Sequence, residues 1–106
     1  MLLTTTNVIE GHKIKEYKGL VNGEVILGTS IVRDFIASFT DMIGGRSSSY
    51  ENVLVTGREN ALKEMSERAA QMGANAVIGI DIDYETIGEC SMMMVSASGT
   101  AVVIEE

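Results

Sequence analysis

Cysteine and histidine occur once each in this 106-residue chain, as Cys90 and His12, and tryptophan does not occur at all. A single cysteine excludes an intrachain disulfide and gives no support to an exported, oxidising life. One thiol and one imidazole are also too few for a structural zinc site within one chain, which normally takes four such ligands. Aromatic residues make up 5% of a chain that is 45% hydrophobic, so the core must be built from Val, Ile, Leu, Ala and seven Met. Small apolar residues at this density point to apolar surface buried between copies as well as within one. Basic residues are scarce as well: 8 against 15 acidic, a net charge of −7. Nucleic-acid binding relies on Lys and Arg to neutralise phosphates, so this balance excludes it as an expectation, and it opposes attraction to anionic membranes. No apolar run approaches the roughly 20 residues that span a bilayer. The opening MLLTTTNVIEGHK is too short and too polar for a signal peptide. The cytoplasm is the expected location.

What is present fits one domain, residues 1–106. Leu2 to Thr5 is a short β-prone run. Between Gly11 and Gly28, Asn22-Gly23 predicts a tight turn, and with it a two-stranded ribbon whose first arm bends or bulges at Gly19. Ser30 caps an expected helix whose Val32, Phe35, Ile36, Phe39 and Ile43 share a face, and Gly44 with Gly45 ends it. Ser48 and Glu51 have the spacing of a capping box. They open a longer helix with Tyr50, Leu54, Ala61, Met65, Ala69 and Met72 on one stripe, stopped at Gly73. A strand from Ala76 to Tyr84 follows, with Ile78, Ile80, Ile82 and Tyr84 expected on one face and Val77, Gly79, Asp81 and Asp83 on the other. The last strand, Met92 to Ile104, has two faces that both look fit for burial. Segregated helices and strands in this order indicate an α+β domain with a largely antiparallel sheet and helices packed on one side.

The stretches DMIGGRSSSYENVL, GANAVIGIDIDYE and MMMVSASGTAVVI, with the ribbon GHKIKEYKGLVNGEVILG, resemble the YbjQ-like family of small bacterial proteins over almost the whole chain. The resemblance implies a compact α+β subunit akin to the dodecin type, packed with copies of itself into a ring, a pentamer. It carries a heavy-metal-binding label but no ligand residues that could be transferred.

Three sites are candidates for chemistry. Cys90 and His12 could meet across a subunit boundary to hold a soft metal; otherwise Cys90 is a small core residue. Asp81, Asp83 and Glu85, at i, i+2 and i+4 of a strand, would point the same way about 6.5–7 Å apart. Oxygen donors so placed suit a hard metal ion, and the alternative is a solvated strand face. Gly44, Gly45, Arg46, Ser47, Ser48 and Ser49 precede the long helix, where free N–H groups and Arg46 could hold a phosphate or carboxylate; the alternative is a glycine stop and a serine cap. No G-K-[ST] follows and no G-x-S-x-G occurs, and the three serines have only His12 as a base. No catalytic residue is assigned, and an enzyme is not expected. The functional expectation is an oligomeric module that binds a metal ion or small anion, against an interaction ring that needs a protein partner and no ligand.

Overall fold

The computed structural model describes residues 1–28, 48–88 and 92–106, with the backbone alone at 48–50. Its elements are β1 (Leu2–Leu3), β2 (Ile14–Leu27), α1 (Ser48–Gln71), β3 (Ala76–Ile87) and β4 (Met92–Ile104). The strands form one sheet in the order β1-β3-β4-β2. β4 is antiparallel to both β2 and β3, and β1 adds in parallel to β3. The architecture is α+β, a mixed four-stranded sheet with one described helix packed on it. The helix expected over 30–43 lies outside the described residues.

The expected turn at Asn22-Gly23 is overturned. β2 runs unbroken through both residues, pairing Asn22 with Ser98 and Gly23 with Ala97. The reason is in the packing. A Cβ on Gly23 would lie 2.2 Å from the Ala61 carbonyl oxygen and 2.6 Å from the Met65 amide nitrogen. The glycine is there because α1 sits directly on the strand, not because the chain reverses. The expected bulge at Gly19 is present: the register shifts between Tyr17 and Gly19, whose φ is 122°.

α1 is positioned by its small residues. Ala61, Met65 and Ala69, at spacings of four, are fully buried against Val21, Val77, Val95, Ala97 and Ala101. Gly57 belongs to the same stripe, and a Cβ there would stand 3.0 Å from a Val95 methyl. The helix ends as its sequence indicates. Gly73 takes a φ of 88°, its amide bonds Ala70 O at 3.0 Å, and the Ala74 amide bonds Ala69 O at 3.0 Å. That pair of bonds is the Schellman arrangement, in which two orphan carbonyls of the last turn find donors.

The expected faces of β3 need a second correction. Ile78 pairs with Thr100 and Asp81 with Ser98, so two residues of β3 oppose Gly99 alone. Gly79, at a φ of 61°, forms this bulge. It reverses the alternation. Val77 and Ile80 face α1, with Ile82 packed beside them, whereas Ala76 and Ile78 turn to the opposite face. There they join Val102 and Ile104 in a small second core that Ile9 and Ile14 help to cover. Gly99 is required opposite the bulge, since a Cβ on it would lie 2.7 Å from a Val77 methyl. β4 keeps the two faces read from its sequence, with Val95, Ala97 and Ala101 toward α1 and Val102 and Ile104 away. Asn75 lengthens the ladder beyond β3, its side chain accepting from Ile104 N at 2.8 Å and donating to Ile104 O at 3.0 Å.

Candidate functional site

The face of the sheet away from α1 carries the carboxylate candidates. Downstream of the bulge, Asp81, Asp83 and Glu85 stand opposite Ser98, Ser96 and Met94 of β4. On the far side of β4 the same three residues stand opposite Asn22, Glu24 and Ile26 of β2. The rungs Asp81–Ser98–Asn22 and Asp83–Ser96–Glu24 therefore cross three strands on one open face. Sequence reasoning found the carboxylates from their spacing of two and missed Asn22, Glu24, Ser96 and Ser98. The signal for the serines was their period-2 run in β4, legible only once the strands are in register.

Apart from Met94 and Ile26, these side chains offer oxygen or amide groups. Asp81, Asp83 and Glu85 are exposed. The charge of Asp81 and a hydrogen bond with it, then desolvation and the charge of Glu85, raise the Asp83 carboxyl above its ordinary value of 3.8. Two carboxylates so close repel each other when both are ionised. Strands lie about 4.8 Å apart, so β3 and β2 are separated by roughly 10 Å, and no single ion can touch both ends of a rung. Among the described residues no group of three His, Cys, Asp or Glu is placed to hold a metal ion. The described residues of one copy supply part of a coordination shell at most.

The other described candidates, His12, Ser48 and Ser49, belong to other elements. His12 Nδ1 lies 2.8 Å from the carbonyl oxygen of Glu105, tying the N-terminal segment to the end of β4. Cys90 lies outside the described residues, as do Gly44, Gly45, Arg46 and Ser47. Ser48 and Ser49 are the first two residues of α1, with Glu51 in its first turn. A soft heavy metal calls for thiolate, thioether or imidazole ligands. Among the described residues His12 is the only imidazole and the methionines the only sulfur donors, with no thiolate; the carboxylate row fits a hard cation.

Two shallow grooves accompany the sheet. One, of about 390 Å³, is lined by Leu2, Thr4, Thr6, Val8, Ile9 and Glu10. The other, of about 350 Å³, lies between Glu51, Leu54, Val55 and Arg58 of α1 and Tyr84 of β3. Neither contains any of the residues singled out for metal or anion binding. No described helix is long and apolar enough to cross a membrane.

Residues 1–105 match a family model, YbjQ, described as "Putative heavy-metal-binding". A UPF0145 protein of Acetivibrio thermocellus is 60% identical over 106 residues, covering 99% of this chain and all of the relative. A UPF0145 protein of Anoxybacillus flavithermus is 59% identical over the full length of both. Among solved structures, a protein of unknown function of the DUF74 family from Pediococcus pentosaceus superposes with a TM-score of 0.61. It covers 99% of this chain and 98% of its own at 16% identity, a likeness of fold alone. Matched from end to end by the family model and by relatives of its own length, the chain belongs to the YbjQ family of UPF0145 proteins.

Proposed function

We propose that this chain is the subunit of a homo-oligomeric binding module, a cytoplasmic ring of the pentameric kind, whose ligand is a metal cation. The observation that carries the reading is the row Asp81–Asp83–Glu85 on the open sheet face. There like charges crowd enough to raise the proton affinity of Asp83. A hard divalent ion would relieve that repulsion, with its shell completed by donors of a neighbouring copy. A small anion at Gly44–Ser49 is the companion reading from sequence.

Native mass spectrometry on protein purified without chelator, compared with the denatured subunit mass, tests the proposal. The expected result is an oligomer heavier than its summed subunits by a fixed metal increment that Asp81→Asn/Asp83→Asn removes. An oligomer that gains no mass with added Mg²⁺, Ca²⁺ or Zn²⁺ overturns the cation. An increment of phosphate mass that Arg46→Ala abolishes moves the ligand to the anion site.

A second reading, an interaction ring without a small ligand, is favoured by a different observation. Tyr17, Leu20 and Ile26 of β2 are 67%, 89% and 60% exposed on an edge strand. Apolar side chains on an open edge suit a protein partner. Recovery of a stoichiometric partner protein with no mass increment would decide for this reading.

A further inference from the structure

Two edges of the sheet are covered by no described strand. One is the outer side of β2, 14 residues long. The other is the outer side of β3 from Asp81 to Thr86. It begins beyond the residues that β1 pairs and beyond the Gly79 and Ile80 amides, which bond Thr6 O and Thr4 O. A row of free amides and carbonyls is a template for another strand.

The edge of β2 is not open along its whole length. Arg68 reaches across from α1, and its Nη1 donates to Asn22 O at 2.8 Å and lies 3.5 Å from Glu24 Oε2. Nη2 of the same guanidinium pairs with Glu64. Because Asn22 O faces outward, alternation turns the backbone groups of Leu20 and Glu24 outward too. Arg68 therefore blocks the second half of the edge and leaves the first half free. In that first half Tyr17 and Leu20 stand exposed.

Charge matches the two open stretches. Lys13 to Leu20 holds three lysines and one glutamate, a net +2, and Asp81 to Thr86 holds three carboxylates and no base, a net −3. Direction matches as well. β2 and β3 are both antiparallel to β4, so they run parallel to each other. One copy's β2 can thus extend the next copy's sheet at β3 without turning the sheet over. Such a head-to-tail contact closes into a ring when its rotation divides a full turn.

We propose that a second copy of this chain docks Lys13 and the first half of its β2, through Leu20, along the Asp81–Thr86 edge of β3. The proposal rests on the homo-oligomer reading and not on the metal. The joined stretches keep a net charge of −1 (+2 and −3), which leaves the junction favourable to a cation.

Sedimentation velocity at micromolar concentration tests it, with far-UV circular dichroism as the check on folding. Lys13→Glu/Lys15→Glu and Asp81→Lys/Asp83→Lys should each weaken assembly roughly tenfold or more, since like charges then face each other. The chain carrying all four changes should reassemble. Leu20→Asp, at a side chain too exposed to unfold the subunit, should also give monomer. A monomeric wild type overturns the oligomer reading itself. An oligomeric wild type indifferent to both charge swaps overturns this docking and leaves that reading intact. Native-like swap variants that the fourfold change does not rescue overturn it too, as does dissociation of the wild type by EDTA alone, which would assign the joint to metal.

Discussion

The two faces of this sheet are built by opposite rules. Toward α1 the strands present glycine, alanine and valine, and contact is so close that Gly23 has no room for a Cβ. Away from α1 the described residues close only one end, by Ala76, Ile78, Val102 and Ile104, and the rest of that face shows carboxylates, serines and exposed apolar residues. The contrast teaches where stability and where interaction reside. A face that tolerates no added methyl is fixed by packing. A face with exposed leucine beside unneutralised carboxylates is held in reserve for something outside the chain.

The contrast can be broken most strongly at Gly23. Gly23→Val should destabilise by roughly 3 kcal/mol or abolish folding, since α1 must lift off the strand, and urea unfolding measures it. Met65→Ala opens a cavity in the same core and should cost about 3 kcal/mol by the same assay. Val102→Ala, in the smaller core on the other face, loses two methylene equivalents and should cost about 2 kcal/mol. If it costs as much as Met65→Ala, the two faces are not as unequal as their packing indicates. Leu20→Ala on the open face should change the stability of the dissociated chain by no more than about 0.5 kcal/mol.

Acid sharpens the comparison from the other side. Asp83 has a folded-state affinity for its proton above the ordinary value of 3.8, chiefly through the charge of Asp81. A raised carboxyl favours the fold while protonated. Its contribution is fully present below the unfolded value and is lost as pH rises through the folded one, so the pair opposes folding near neutrality. NMR titration of the Asp83 carboxyl should show a midpoint above 3.8 that falls in Asp81→Asn. An unchanged midpoint would mean the two carboxylates do not interact in solution.

Much of this was legible in the sequence because it is local. The stripe through Ala61, Met65 and Ala69, the stop at Gly73 and the two faces of β4 follow from period and propensity. The spacing that set Asp81, Asp83 and Glu85 on one face survives because the bulge lies upstream of all three. What failed was tertiary. Asn22-Gly23 has turn chemistry, and only the approach of Ala61 and Met65 explains why the second residue must be glycine in a strand. Likewise Ile78 and Ile80 look like partners until Gly79 separates them into different cores. Asn22 and Glu24 joined the candidate site only through register with Ser98 and Ser96, a relation between distant segments.

Gly79 has one more consequence, which concerns insertion and deletion. Everything after it in β3 owes its orientation to a single surplus residue. Straightening the strand there, with Gly79 kept and paired in line, would leave every side chain chemically unchanged yet send Asp81, Asp83 and Glu85 against Met65 and Ala97, and Ile80, Ile82 and Tyr84 into water. The chain thus stores the address of its charged row as a count of residues rather than as their identity. A one-residue insertion between Ile80 and Asp81 should be far more damaging than any substitution within the row, whereas deletion of Gly79 itself should heal the bulge and keep the row on its face.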